Sequence, residues 1–590
     1  MLMLPPAEDP KGLNEFPVLY WNQVGLELNR ITHSLGGPQG GPTMSSRALG
    51  LLHLAMHDAW FLTLDHHDAS DPAPYLPKDK QRPTKPAGLG VSVAEAQAAL
   101  TGAAISVLDE LYARPGPAVS IQATDTLTTA LSNMIAGYGP HIDTLGPAHQ
   151  FGVAVAREII ARLAVKPGEP GADQGRFEPK PGVFNFADEP INPVRRAGID
   201  PNDPTRGDRA VRTYHGPFYG TTVKAFAVTD PDGHAIRDWR ELGDDEYLAA
   251  LREVKALGGA PDQAGVTRTP DEFVAAYYWA YDGANLIGTP PRLYNQILRV
   301  IASDRKATSD ASDLAQNSEF VRLFALANVA MADAGKFAWR EKYRYMLWRP
   351  LSGVREHVGG PHALAADPSL AGPREHVDSD ADPFWRALGA PETNSNRLSF
   401  KPPFPAYPSG HATFGAACFQ MARLYYKKRD GLTFDIGGAD PIGFTFVSEE
   451  LDGRSRDLHQ PHVPGQPIED QPGVIRTRVE RRFSSLWRAI FENAFSRIWL
   501  GVHWRFDAFD AADALDTSGS YMPADKIVYR HVWTAKRTPG ETLPVGGVPL
   551  GLGIANDIWS SGMRAPVSTS STAALRTESI SKISNTTYRQ

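Results

Sequence analysis

An all-α chain is what this sequence predicts, with a duplicated helical bundle and long ordered loops between its helices. Three observations carry that expectation. Apolar residues fall at three-and-four spacing over much of the chain while strand alternation is scarce. A stretch of 13 residues recurs 275 positions later. Pro, Gly and Asp gather between the periodic segments. In order, the periodicity predicts helices over 18–33, 47–62, 94–113, 147–164, 244–257, 271–282, 291–302, 317–342, 410–427 and 479–500. Ser92-Val-Ala-Glu95 is a capping-box signature for the third, followed by the stripe Ala96, Ala99, Leu100, Ala103, Val107 and Leu111. The repeat compares Arg47–Ala59 with Arg322–Ala334, which share Arg, Leu, Ala, Met, Asp and Ala at six matching positions. Repeated helical units of this kind pack a shared core. The stretches 166–220, 351–408 and 430–473 are too long for ordinary helix connections and read as functional loops. From Ser568 to Gln590, 11 of 23 residues are Ser or Thr, the composition of a disordered tail.

Composition removes several functions. The 590 residues hold 60 Lys+Arg against 67 Asp+Glu, a net charge of −7, with no basic block, which argues against a nucleic-acid partner. No apolar run is long enough for a membrane span. The start, Met1-Leu-Met-Leu-Pro-Pro-Ala-Glu-Asp9, has neither a basic n-region nor an apolar h-region, so no ordinary signal peptide is visible. The one cysteine, Cys418, cannot close an intrachain disulfide or build a thiolate metal cluster. It lies in Ala-Ala-Cys-Phe on an apolar helix and reads as core packing, which also argues against a heme-thiolate peroxidase. At 42% hydrophobic residues, buried apolar area supplies the stability.

The chemistry concentrates in three segments of the second half: Lys342-Tyr-Arg-Tyr-Met-Leu-Trp-Arg349-Pro350, then Pro408-Ser409-Gly410-His411, then Ser496-Arg497-Ile-Trp-Leu-Gly-Val-His503-Trp-Arg-Phe-Asp507. Lys342 and Arg349 are seven apart, so a helix ending near Pro350 would point both cations to one place. Ser409 and Gly410 ahead of a helical stretch offer a hydroxyl and free backbone N–H groups to an anion, and Gly410 permits close approach. Arg497 would add a third cation, with His411 and His503 beside it.

Taken in order, these eleven identities resemble the signature shared by vanadium-dependent haloperoxidases and the acid phosphatases related to phosphatidic acid phosphatase. The stretches Trp21–His33, Tyr278–Pro291 and Lys401–Tyr407 are similar to the fungal vanadium chloroperoxidases, over most of residues 16–560. That resemblance implies two four-helix bundles, in agreement with the repeat. The expected organisation is an N-terminal bundle with a long loop over 1–240, a C-terminal bundle carrying the site over 241–535, and an extension with the Ser/Thr-rich tail over 536–590.

The resemblance also assigns roles. It implies one vanadate per chain, with His503 as its axial nitrogen ligand, held by Lys342, Arg349, Arg497, Ser409 and the Gly410 amide. Each cation would contribute about 4 kcal/mol at about 4 Å and an effective dielectric of about 20. His411 becomes the acid–base group toward hydrogen peroxide, Lys342 polarises the bound peroxide, and a halide, chloride or bromide, leaves as hypohalous acid. Asp282 is expected to hold Arg497, Asp507 to support His503, and Trp339 and Phe404 to line the halide side. The alternative is an acid phosphatase using the same cradle through a phosphohistidine at His503. The resemblance further implies secretion. His53 and His57, four apart without a zinc-protease Glu or a third ligand, read as buried structural histidines.

Overall fold

The computed structural model describes residues 12–65, 73–114, 119–165, 177, 180, 182–186, 214–306, 313–391, 393–394, 402–458, 468–529 and 542–565. Most of the 166–213 stretch and the Ser/Thr-rich tail lie outside these described residues. The N-terminal half holds α1 (Pro17–Leu35), α2 (Gly41–Thr63), α3 (Val93–Leu108), α4 (Ile121–Ala136), α5 (Pro147–Leu163) and the single turn α6 (Tyr219–Thr222). Pro17 starts α1, where its missing N–H is no loss, and Gly36 ends it in the left-handed region at φ 60°. The expected capping box of Ser92 and Glu95 opens α3.

The second half continues with α7 (Asp244–Leu257), α8 (Pro270–Tyr278), α9 (Pro290–Asp304), the long α10 (Asp313–Tyr345), and the short α11 (Pro350–Arg355) and α12 (Pro361–Ala366). It then adds α13 (Gly410–Arg429), α14 (Leu486–Trp499), the short α15 (Ala511–Ala514) and α16 (Gly547–Ser561). Two small antiparallel pairs, β1 (Phe444–Val447) with β4 (Glu480–Phe483) and β2 (Arg456–Asp457) with β3 (Val474–Ile475), complete it.

The packing repeats. In the order α1, α2, α3, α5, each helix lies against the next but one or its neighbour: α2 meets α1 and α3, and α3 meets α5. In the order α9, α10, α13, α14, α10 meets α9 and α13, and α13 meets α14. The two sets join through α2 and α10, which carry the repeated stretches. Gly50 permits this approach: a Cβ there would stand 3.0 Å from Ala332 Cβ. The repeated aspartate has one job in both copies. Asp58 accepts the Tyr75 and Leu76 amides at 2.8 and 2.7 Å, and Asp333 accepts the amides of Phe226, Ala227 and Val228 at 2.6, 2.8 and 2.8 Å. A buried carboxylate on each central helix thereby ties down the loop laid over it.

Four local readings change. Residues 480–483 are strand, not helix; Ser485 caps α14 by accepting the Arg488 amide at 3.0 Å. The helix read over 271–282 stops at Tyr278, and the one read over 94–113 finishes as a π-turn over Asp109–Ala113. The helix carrying Lys342 ends at Tyr345 rather than near Pro350, because Met346 turns left-handed at φ 50°. Two helices carry no clear sequence signal. Low-propensity Thr residues mask α4 (Thr124, Thr126, Thr128, Thr129), and Gly547, Gly551 and Gly553 mask α16. Those glycines serve contact: a Cβ on Gly551 would fall 2.3 Å from Thr413 O on α13. Among the described residues, no helix is long and apolar enough to cross a membrane.

Asp333→Ala orphans three buried amides and Asp58→Ala two. At about 1–3 kcal/mol for each buried group left unpaired, Asp333→Ala is expected to cost at least about 3 kcal/mol and more than Asp58→Ala. Urea unfolding of the two variants measures the order, and equal costs would contradict it.

Candidate active site

Four backbone segments converge at the N-terminus of α13. Ser409 is its N-cap, with Oγ accepting the Ala412 amide at 3.4 Å, and Gly410 and His411 open the first turn. The Ser409 amide donates to Asp507 O at 2.7 Å, joining this turn to the His503–Asp507 segment. Arg349 does not come from the Lys342 helix. It arrives on an extended segment whose Leu347 O accepts the Ala406 amide and whose Trp348 amide donates to Phe184 O, and it caps α11. Unwinding after Tyr278 frees Ala280 O to accept His411 Nε2 at 2.7 Å and turns Asp282 onto Arg497 Nη2 at 2.9 and 3.0 Å.

Asp282, Trp339, Phe404, His411, Arg497 and His503, with Gly410 between them, line one cavity of about 180 Å³. Lys342, Arg349 and Ser409 are buried beside it. Lys342 Nζ donates to Pro405 O and Ala406 O at 2.9 Å each and to Pro408 O, so three carbonyls share its three protons. Arg349 donates from Nε to Phe404 O at 3.0 Å and from Nη1 to Val502 O at 2.8 Å, and Nη1 stands 3.0 Å from His503 Nε2. His503 Nδ1 donates to Asp507 Oδ2 at 2.7 Å, an assignment that places the lone pair on Nε2. Phe404 covers both cations, with Lys342 Nζ 5.1 Å and Arg349 Cζ 4.9 Å from its centroid, and its ring lies 4.8 Å from that of Trp339.

Electrostatics agree on one sign. Burial first and Arg497 second hold His411 well below the usual imidazole range. Burial and then Arg349 do the same to His503, and depress Lys342 far below an ordinary lysine. Burial raises Asp282 against the pull of Arg497, and pushes Asp507 up to about 7 against Lys342. Positive charge is in excess in a dry site, the condition an anion relieves.

The donor set fits an oxyanion such as vanadate. Arg497 is buried at the cavity wall and gives only Nη2 to Asp282; its Nε and Nη1 make no hydrogen bond among the described residues. A Cβ on Gly410 would stand 3.2 Å from Trp339 Cζ3, so glycine alone leaves the helix N-terminus open to close approach. Two histidines of the cavity were not singled out from the sequence. His33 donates from Nδ1 to Asn29 O and accepts the Gly41 amide at Nε2, and burial pushes its pKa down to about 4. The His215 ring lies tilted against that of Phe404, 5.8 Å between centroids. His33 sits in the Trp21–His33 stretch already marked by the resemblance; His215 stands in no periodic segment or motif.

Elsewhere, His53 meets Asn22 at 2.9 Å and His57 meets Asp58 at 2.9 Å, each buried in its own network, and Cys418 is buried. The cluster His357, Asp378 and Asp380 has its carboxylates facing Arg374 and Arg252, an ion-pair network.

Comparison with known proteins places this architecture. The family model described as the vanadium chloroperoxidase N-terminal domain matches residues 4–225, and that of the family's second helical-bundle domain matches residues 322–521. A curated relative, the vanadium chloroperoxidase of Curvularia inaequalis, is 42% identical over 592 aligned positions, covering 95% of this chain and 92% of the relative. In fold, a bacterial vanadium-dependent iodoperoxidase superposes with a TM-score of 0.50 at 16% identity, covering 95% of this chain and 98% of that one. By its identity to the Curvularia protein and by its match to both helical domains, the chain belongs to the vanadium chloroperoxidase family.

Proposed function

We infer that this protein is a vanadate-dependent haloperoxidase that uses hydrogen peroxide to oxidise chloride and bromide to hypohalous acid, with one vanadate per chain. The observation that carries it is the 42% identity over 95% of the chain to a named vanadium chloroperoxidase. The phosphatase alternative is not favoured by that whole-chain similarity.

Lys342, Arg349 and Arg497 hold the oxyanion by charge, with Ser409 and the Gly410 amide as added donors. His503 presents the Nε2 lone pair, its ring oriented by Asp507. Bound vanadate supplies a Lewis-acid centre that activates peroxide toward halide without changing its own oxidation state. His411 donates from Nε2 to Ala280 O, which leaves Nδ1 as the basic nitrogen to take and return a proton. Asp282 fixes the direction of Arg497. Phe404 and Trp339 keep water from Lys342, so that its charge acts through a low dielectric.

Orthovanadate added to the metal-free protein is expected to confer halide oxidation by peroxide, with phosphate competing for the site. An anion offsets Arg497, Arg349 and Lys342, the cations that depress His411. Its pKa therefore rises on binding, the site takes up a proton, and anion affinity grows as pH falls. Phosphate titration calorimetry in two buffers of different ionisation enthalpy reads this uptake. Proton release, or full activity without vanadate, would contradict the reading.

The two histidines separate by readout. His503→Ala is expected to lose vanadate retention by at least the roughly 100-fold that removing an outer-shell partner can cost. His411→Ala should keep weaker binding while turnover drops about 10²–10⁴-fold. Vanadium content after dialysis, measured beside turnover, distinguishes them, and equal occupancy in wild type and His503→Ala would contradict these roles.

Halide choice tests the apolar wall. Chloride is harder to oxidise than bromide and needs the stronger pull of a dry Lys342. Phe404→His admits water and a titratable neighbour beside two cations. It is expected to lower the ratio of chloride to bromide oxidation about tenfold or more at matched pH and peroxide, which needs only about 1.4 kcal/mol of differential barrier. An unchanged ratio would reduce Phe404 to packing.

A further inference from the structure

We propose that Glu450 is a positioning residue for halide oxidation, holding through the Tyr281 amide the turn that presents the Ala280 carbonyl to His411 and the Asp282 carboxylate to Arg497. This rests on the haloperoxidase reading of the site.

The turn it grips is the unwound segment between α8 and α9, where Tyr281 is left-handed at φ 41°. A non-glycine residue keeps that conformation only when its surroundings over-determine it. Those surroundings are the three residues Ser448, Glu449 and Glu450, all buried. Ser448 Oγ donates to Tyr278 O at 2.7 Å, at the end of α8. The Glu449 amide donates to Tyr281 OH at 3.1 Å, and Tyr281 OH in turn donates to Gln296 Oε1 at 2.9 Å. Glu450 Oε1 accepts the Tyr281 amide at 3.3 Å. Farther along, Glu449 Oε1 takes Arg292 Nη2 at 2.8 Å, and Arg292 Nη1 reaches Ile287 O at 2.9 Å.

Of these bonds, the one from Glu450 falls on the residue between the two that serve the site. Ala280 O holds His411 Nε2 and Asp282 holds Arg497 Nη2, so a rotation of the Tyr281 peptide disturbs both at once. The other oxygen of Glu450 is tied on the far side. Oε2 accepts Thr393 Oγ1 and Arg476 Nη1, the latter at 3.1 Å, and Arg476 also binds Asp457. The charged and titratable groups facing Glu450 are therefore Arg476, Asp457 behind it, Asp282 and the Tyr281 phenol on the gripped turn, and the Tyr277 phenol on α8. Burial, against the pull of Arg476, pushes its carboxyl up to about 7. At acidic pH it is a neutral acid that a glutamine imitates.

Three variants of the full chain, saturated with vanadate, test the proposal by kcat for chloride oxidation across pH. Glu450→Ala removes the acceptor for the Tyr281 amide, and its kcat is expected to fall about tenfold with the pH optimum displaced by about half a unit or more, since the proton carrier His411 loses its orientation. Glu450→Gln keeps an oxygen for that amide and at about pH 5 should stay within about twofold of wild type. Thr393→Val leaves Tyr281 untouched but removes one of the two donors to Oε2, and should displace the profile in the same direction by less. A folded Glu450→Ala with the wild-type kcat and pH profile overturns the proposal, as does a Glu450→Gln as impaired at about pH 5 as the alanine variant. If Glu450→Ala does not fold, an unchanged profile in Thr393→Val overturns it. Wild-type protein inert with vanadate would overturn the haloperoxidase reading itself, whereas unchanged variants beside an active wild type overturn only the role of Glu450.

Discussion

Excess positive charge held out of water is the constraint on which the rest of this structure depends. Lys342, Arg349 and Arg497 are all buried, and the nearby Asp282 and Asp507 are fewer. Burying cations without matching anions is costly, and here the cost is offset by backbone. Carbonyls of Pro405, Ala406 and Pro408 surround Lys342, and those of Phe404 and Val502 take Arg349. These carbonyls belong to irregular segments, where no helical or strand partner already occupies them. The long loops of the second half are thus the solvent of the site rather than ornaments on a helical bundle.

The duplicated helices give those loops something rigid to lie on. In each copy a central helix contributes a buried aspartate to pin the chain passing over it, Asp58 for the 75–76 segment and Asp333 for 226–228. The N-terminal copy also closes the cavity, through His33, Gly41 and Pro42 at the corner between α1 and α2. One apolar core runs through both halves, and α2 packs directly against α10, which carries Trp339 and Lys342.

Much of this was legible in the sequence. Three-and-four periodicity located the long helices, and the spaced identities from Lys342 to Asp507 named side chains that the structure brings to one place. The departures have physical causes. Lys342 and Arg349 looked like partners on one helix, yet Met346 breaks it and Arg349 arrives by another route, a tertiary effect that spacing cannot report. The apolar run of 479–500 hid a change from strand to helix at Ser485, since a short edge pair and a helical turn share their apolar spacing over so few residues. His215 carries no pattern at all, because its place depends on backbone folding over α10. Glu450 lay in a loop whose composition suggested function without saying which residue.

The carbonyl partners of the cations bear on how the site tells anions apart. Lys342 rests on three acceptors, and Arg349 stands against His503 Nε2. An anion would meet Arg497 Nε and Nη1, unpaired among the described residues, and, at Lys342 and Arg349, would exchange with hydrogen bonds whose directions are set by separate segments. A multi-oxygen ion can accept from several directions at once, as a guanidinium fork and a helix N-terminus require. A single halide accepts from any direction but at one point only, so it cannot reach donors spread as widely as separate oxygens can, and replacing the carbonyls with it would leave donors unmet. A multi-oxygen anion is therefore a better match for this donor set than chloride, the halide that shares its cavity.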